Sequence, residues 1–281
     1  MQVSGYGPYL QHVMRDCKKN PAKTEINKMK TYKDNKLNHV IGVGREDALE
    51  VFLGGTYKNI NHKRKNSYSS NSEDASTWSC FDIISQLKDA KKKEILDEIL
   101  DHSFCEKDMK PKKFTFADEV DIEIEIGKVF KALSTNEQTE LDASIETKTK
   151  IIFIEAKLYS SISLESSSQE FDQIVKKIRV GLDYAERENK EFFFIFLDIA
   201  PRSELYKFST EKKSLENAKI APTRKWKSVF WFNRYKKNPK ILKQKLYNIK
   251  FSQSIESVTE NMGWLTWNDL FKITMRSLIE K

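Results

Sequence analysis

Two short runs of purely apolar residues constrain the fold of this chain more than any other feature of its sequence. Ile151 to Ile154 and Phe192 to Leu197 contain no polar side chain. Each run has the length of a β-strand and falls well short of the roughly 18 residues that a membrane-spanning helix needs. A strand that is apolar at successive positions buries both of its faces. The two runs therefore predict central strands of a sheet that is covered on both sides.

The segments around these runs predict a mixed sheet. Val120 to Ile126 and Thr139 to Thr147 alternate apolar and polar residues, which indicates two further strands. Lys148 to Lys150 predicts a tight turn into the first apolar run, and Gln169 to Glu188 predicts a helix before the second run. The order strand, strand, helix, strand favours an α/β fold with a mixed central β-sheet flanked by helices.

Capping and stop signals predict four more helices. They cover Glu46 to Leu53, ending at Gly54-Gly55; a segment that starts at Asn71 or Ser72; Lys91 to His102; and a last helix to about Ile279, capped by Thr266 and Asp269. We expect residues 71–200 to form the core of one compact domain. Residues 1–70 are then a basic N-terminal extension, and residues 201–281 are a basic and aromatic C-terminal part that packs on the core.

The charges are distributed unevenly along the chain. Residues 1–70 carry 13 Lys and Arg against 6 Asp and Glu, residues 71–200 carry 18 against 28, and residues 201–250 carry 15 against 3. An acidic middle between two basic segments is typical of a metal site between phosphate-binding surfaces. A lysine-rich composition with solvated faces gives the same counts, so the charge pattern supports a nucleic-acid partner only together with a chemical site.

Three cysteines and four histidines are scattered along the sequence. They are Cys17, Cys80, Cys105, His12, His39, His62 and His102. This scatter argues against zinc chemistry, a disulfide framework and a histidine-activated nucleophile. Because no apolar run reaches membrane-spanning length and Met1 to Leu10 lacks the features of a secretion signal, we expect no membrane partner and a cytoplasmic location.

The end of the first apolar run carries the residues that point to chemistry. Side chains two apart in a strand share a face, so Glu155 and Lys157 point the same way. A hairpin that reverses at about residues 148–149 brings Asp142 opposite Glu155 or Ala156, so Asp142 can come level with Glu155. Two carboxylates suit Mg²⁺, which takes oxygen ligands, and a metal-bound water beside a lysine suits phosphodiester hydrolysis. The alternative is a surface ion pair of Glu155 with Lys157, next to a solvated Asp142.

Leu141-Asp142 and Glu155-Ala156-Lys157 together resemble the motif of the PD-(D/E)XK nuclease superfamily, which includes restriction, repair and phage-defence enzymes. Leu141 stands where the family name has proline. The resemblance covers about residues 70–200 and implies a restriction-endonuclease-like core, Mg²⁺ (with Mn²⁺ as a substitute) and hydrolysis of DNA that leaves a 5′-phosphate. RNA stays open as a substrate, and a homodimer would supply the two active sites that cutting a duplex commonly takes.

Members of this superfamily often place a glutamate on a helix before the first strand and a glutamine on the helix after the lysine. The candidates that the resemblance implies here are Glu73 and Gln173, with Gln169 second to Gln173. Glu73 is equally well explained as a first-turn carboxylate that interacts with the helix dipole, and Gln173 as an exposed helix residue. Glu140 ranks below Glu73 as an additional carboxylate near the metal.

Two basic segments are candidates for holding a nucleic-acid backbone. Their cationic residues are Lys63, Arg64, Lys65, Arg224, Lys225, Lys227, Arg234 and Lys236. Trp226, Trp231, Phe232 and Tyr235 would suit base stacking, although core aromatic residues with solvated lysines around them explain the second segment slightly better. Two functions besides a nuclease remain open: a nuclease-like fold that binds nucleic acid without cutting it, and a scaffold protein with a basic surface.

Overall fold

The computed structural model describes residues 31–35, 44–55, 63, 66–68, 72–104, 114–167, 169–206 and 224–279, with the backbone alone at residues 224–227. The helices used below are α1 (Glu46–Gly54), α2 (Glu73–Ser85), α3 (Asp89–Phe104), α4 (Gln173–Arg187), α5 (Arg224–Lys236), α6 (Pro239–Lys245), α7 (Ile255–Glu260) and α8 (Trp267–Ile279). The strands are β1 (Glu123–Ile126), β2 (Val129–Lys131), β3 (Gln138–Glu140), β4 (Ala143–Glu146), β5 (Lys150–Lys157), β6 (Glu191–Asp198) and β7 (Met262–Thr266).

Five strands form the central sheet in the order β1-β4-β5-β6-β7. The pairs β1/β4 and β4/β5 are antiparallel, whereas β5/β6 and β6/β7 are parallel. The predicted α/β class and mixed sheet are therefore confirmed. β2 and β3 pair with each other in a separate ribbon. β7, which the residue pattern does not predict, extends the sheet with a strand from the C-terminal part of the chain.

Both faces of β5 and β6 are buried, which confirms the interpretation of the two apolar runs. One core contains Ile151 and Phe153 of β5 and every second residue of β6 from Phe192 onward. These side chains pack against α4, α5 and α6. Ile152 and Ile154 pack on the opposite face, in a second core with α2, α3 and α8. The sheet is thus the middle of three layers, and its strand ends are the places where polar side chains can reach an opening.

The predicted strand from Thr139 to Thr147 is wrong in one respect, because the segment forms two strands, β3 and β4. The chain changes partner between them. The Leu141 N–H still donates to the Lys128 carbonyl at 2.9 Å, whereas from Ala143 onward the chain pairs with β5. The apolar and polar alternation continues through the break, so it does not reveal the change of partner. Asp142 consequently lies just before β4.

α1, α2, α3 and α8 form where the sequence predicts helices. The Ser72 side chain caps α2, and the Thr266 hydroxyl caps α8 by accepting from the Asp269 N–H at 3.1 Å. α4 begins at Gln173 rather than Gln169, because the Asp172 carboxylate caps it there. No helix within the described ranges has the length and apolar character needed to span a membrane.

Gly181 lies at a close approach of α4 to β6. A Cβ at this position would lie 2.0 Å from Cε2 of the buried Phe192 ring. Gly181→Ala therefore forces Phe192 to move. We expect the substitution to lower the free energy of unfolding by about 1–3 kcal/mol, the usual range for overpacking, as measured by urea denaturation.

Gly54→Ala is the matched control, because nothing lies within 4 Å of a Cβ built at Gly54. This change at the end of α1 should alter the free energy of unfolding by no more than about 0.5 kcal/mol. Equal losses from the two substitutions would show that the contact with Phe192 is not the cause.

Candidate functional site

The residues predicted for catalysis line one cavity of about 480 Å³ at the end of β5. They are Asp142, Glu155, Lys157, Glu73 and Gln173. The hairpin of β4 and β5 pairs Ala143 with Ile154. One residue further along this register, Asp142 lies level with Glu155, which is one of the two partners that the spacing predicts.

Glu155 is the central carboxylate of this cavity and is only 1% exposed. Its Oε1 lies 2.9 Å from Lys157 Nζ and accepts a hydrogen bond from the Gln173 amide, and its Oε2 lies 2.8 Å from Lys177 Nζ. Burial alone favours the protonated acid, but Lys157 and Lys177 outweigh burial and hold the pKa of Glu155 below its ordinary value. The side chain is therefore an ionised carboxylate. The alternative of a surface ion pair is wrong.

Lys157 is held by three oxygen atoms. Besides the contact with Glu155, its Nζ donates to the Ala156 carbonyl at 2.8 Å and to Glu73 Oε1 at 3.1 Å. Burial disfavours the ammonium, but the carboxylates of Glu155, Glu73 and Asp142 outweigh burial and raise the pKa of Lys157. These contacts suit a lysine that compensates negative charge on a phosphoryl group, and they do not suit one that removes a proton from water.

Glu73 joins α2 to the end of β5. Its carboxylate accepts from Lys157, from the Leu158 N–H at 3.0 Å and from the Ser160 hydroxyl at 2.7 Å. Glu73 also lies in the first turn of α2, as the helix-dipole explanation requires. The two explanations of this residue are therefore compatible.

Gln173, rather than Gln169, contacts the central carboxylate. The Gln173 amide donates to Glu155 and its oxygen accepts from the Ser163 N–H at 3.2 Å. Gln169 lines the same cavity, but its amide donates to the Phe171 carbonyl. The interpretation of Gln173 as an exposed helix residue is wrong, because α4 begins with this side chain directed toward β5.

Asp142 differs from the other carboxylates of the cavity in its partners. Its Oδ2 accepts from the Ala156 N–H at 2.6 Å, and among the described residues it forms no ion pair with Lys, Arg or His. Burial and the nearby Glu155 raise the pKa of Asp142 well above its ordinary value, although Lys157 and Lys177 act in the opposite direction. The charge of an ionised Asp142 is thus compensated less than that of Glu73 or Glu155.

The cavity offers few side chains that could bind a metal ion, but their chemistry fits Mg²⁺. Within the described ranges, no group of three or more His, Cys, Asp and Glu side chains is arranged to hold a metal ion. Magnesium typically takes one or two carboxylates, with water and substrate oxygen atoms as its other ligands. Asp142 and Glu155 supply two carboxylates at one level of the sheet, and a divalent cation would compensate Asp142.

The basic residues predicted to bind nucleic acid have varied surroundings. Lys63 is buried in the cavity wall, where it pairs with Glu140 and lies 4.4 Å from the ring centre of Phe52. Lys236 donates to the Met262 carbonyl at 2.7 Å, and Arg234 lies over the Trp231 ring. Outside the described residues lie Arg64, Lys65 and the side chains of Arg224, Lys225, Lys227 and Trp226.

Three of the aromatic residues predicted to stack on bases belong to the core. Trp231, Phe232 and Tyr235 are each at most 6% exposed, and they pack on the face of the sheet that α4 also covers. The prediction that these three side chains stack on bases is therefore wrong. Their explanation as core residues is confirmed.

The residue pattern does not single out two buried charged residues, Lys177 and Asp198. Lys177 follows Gln173 by four residues, so it lies on the same face of α4 and also reaches Glu155. Asp198 ends β6, in register with Lys157 of the neighbouring strand. The helical spacing from Gln173 was the available signal for Lys177, and the polar end of an apolar strand was the signal for Asp198.

Comparison with protein-family models, curated proteins and solved structures finds no match to this chain. The resemblance to PD-(D/E)XK nucleases therefore stays a prediction from the motif residues.

Asp198 should make the stability of the fold depend on pH. Burial raises its pKa to about 7, although the Ala200 N–H, the Ser228 hydroxyl and Lys157 oppose this effect. An unfolded aspartate has a pKa of about 3.9, so the folded state binds the proton more tightly. The stability that the protonated acid contributes is consequently lost as the pH rises from about 4 to about 7.

Asp198→Asn should remove part of this loss. We compare the free energy of unfolding of the variant with that of the wild type. As the pH rises from 4 to 8, this difference should shift in favour of the variant by on the order of 2–4 kcal/mol. Urea denaturation at each pH measures it. Asp118→Asn, at an exposed acid, should follow the wild type over this range. A constant difference between Asp198→Asn and wild type at every pH would contradict the raised pKa.

Proposed function

We propose that this chain is a Mg²⁺-dependent nuclease of the PD-(D/E)XK type that hydrolyses phosphodiester bonds of DNA. The observation that carries the proposal is the convergence of Asp142, Glu155 and Lys157 in one cavity at the end of a central strand. Buried ionised groups are costly and are retained where they are paired or serve a purpose. Glu73 and Gln173 complete the set that the resemblance implies.

Each residue of the cavity has a chemical role under this proposal. Asp142 and Glu155 would hold the metal ion. When bound, Mg²⁺ supplies polarisation of a phosphoryl oxygen and a water molecule of lowered pKa. The Lys157 ammonium compensates negative charge that develops on the phosphoryl group. Glu73 and Gln173 orient Lys157 and Glu155, and are therefore positioning residues.

One observation favours a second candidate, a nuclease-like fold that binds nucleic acid without cutting it. Both oxygen atoms of Glu155 contact protein donors, namely Lys157 and Gln173 on one side and Lys177 on the other. A carboxylate whose charge is compensated by two ammonium groups does not require a metal ion for its stability. For the nuclease, the resemblance suggests defence against foreign DNA or DNA repair as the biological setting.

Cleavage of supercoiled plasmid tests the nuclease directly. With Mg²⁺, we expect the wild type to nick or linearise the plasmid, EDTA to abolish cutting and Mn²⁺ to restore it. Asp142→Asn and Lys157→Met should each lower the rate by at least about 100-fold, because the first removes a carboxylate that would hold the metal ion and the second removes the charge that compensates the phosphoryl group. Agarose gels of timed samples measure the rates.

Matched controls carry the same charge changes away from the cavity. Glu123→Gln on β1 and Lys148→Met in the turn before β5 alter exposed side chains, so both variants should cut like the wild type. A folded wild type that binds oligonucleotides but cuts no plasmid, linear duplex, single-stranded DNA or RNA, with either metal, would replace the nuclease by the second candidate. Cutting of RNA alone would change the substrate class.

A further inference from the structure

Lys177 is a buried lysine in the wall of the cavity. Its Nζ lies 2.8 Å from Glu155 Oε2 and donates to the backbone carbonyl of Glu140, and its side chain is 6% exposed. A buried ammonium is stable only when it is paired and hydrogen-bonded. Glu155 supplies the charge and Glu140 the additional acceptor. The contact is therefore a specific one, made by a side chain that no motif assigns.

The two oxygen atoms of Glu155 face different cations. Oε1 faces Lys157, which is also held by the Glu73 carboxylate and the Ala156 carbonyl, whereas Oε2 faces Lys177, whose additional acceptor is one backbone carbonyl. A carboxylate oxygen that coordinates a divalent cation must give a lone pair to it. Among the residues that the structure describes, Lys177 has fewer acceptors than Lys157, so it is the cation that a divalent ion displaces more easily.

We propose that Lys177 is an internal counter-cation that occupies Glu155 Oε2 and competes there with the divalent metal ion. It keeps Glu155 compensated and in position without metal, and it sets the metal concentration at which the site loads. This inference rests on the proposed function, because it requires Glu155 to be a metal ligand.

If Lys177 competes with the metal ion, removal of its charge should change the affinity for divalent ions in the opposite direction to that expected for a purely structural lysine. Two like charges a few Å apart repel each other strongly even at an effective dielectric constant of about 20. Removal of the Lys177 charge should therefore tighten divalent binding. If Lys177 only held Glu155 in place, its removal would loosen the carboxylate and weaken divalent binding instead.

Binding of Mn²⁺ to the full chain, followed by the electron paramagnetic resonance signal of the free ion, measures this effect. We expect Lys177→Met to lower the Kd for Mn²⁺ about tenfold. Lys176→Met is the matched control, because it removes the same charge from the neighbouring position of α4 at the wall of the same cavity. It should change the Kd by less than about twofold.

Thermal unfolding gives a second readout. Without metal, Lys177→Met should have a lower Tm than the wild type, because Glu155 loses a partner. Saturating Mn²⁺ should raise the Tm of the variant by more than it raises that of the wild type. If Lys177→Met does not fold, Lys177→Gln removes the charge while keeping an amide that can donate to Glu155, and the same signs are expected.

The outcomes separate the inference from the proposed function. Unchanged or weaker Mn²⁺ binding by both Lys177 variants, in a wild type that binds Mn²⁺ and cuts DNA, would overturn the inference alone. If Lys176→Met tightened Mn²⁺ binding by the same factor, the inference would also be overturned, because loss of any positive charge near the cavity would then explain the effect. No Mn²⁺ binding by wild type or by any variant would overturn the inference and the proposed function together.

Discussion

Glu155 places a negative charge at the end of a central strand, where its side chain is almost fully buried. An ion costs several kcal/mol to bury unless it is paired and hydrogen-bonded. Lys157 from β5 and Lys177 from α4 supply opposite charges within 2.9 Å, and Gln173 from α4 adds a hydrogen bond. The charge is therefore tolerated only when α4 is packed on the sheet, so the fold and the candidate site depend on the same contacts.

The charges around Glu155 alternate in sign and connect three elements. Glu73 of α2 pairs with Lys157 of β5, Lys157 pairs with Glu155, and Glu155 pairs with Lys177 of α4. A substitution at one member leaves its neighbours unbalanced, so the effects of substitutions here should not be additive. Asp142 lies at the same level without an ammonium partner among the described residues. Under the proposed function, a divalent cation would compensate this imbalance.

The sequence predicts the part of the fold that depends on local pattern. Continuous apolar runs predict β5 and β6, and residue spacing places Asp142 opposite Glu155 or Ala156. The pattern does not predict the break at Leu141, because side chains alternate through it while the partner strand changes. It also misses β7 at Met262–Thr266, which is buried at every residue and lacks a period of two. The partner of a strand is a long-range property, and alternation is a local one.

The roles of the lysines also depend on long-range contacts that a local sequence pattern does not reveal. In a chain with 32% charged residues, most lysines are solvated, and sequence alone does not identify the buried ones. Lys63 was predicted to contact phosphate, yet it packs against Gly127, where a Cβ would lie 2.8 Å from its Nζ. Lys177 is buried because a carboxylate on a strand faces its helix. The function of each lysine is therefore fixed by the surface that packs against it, and the basic segments of the sequence do not by themselves locate a nucleic-acid-binding surface.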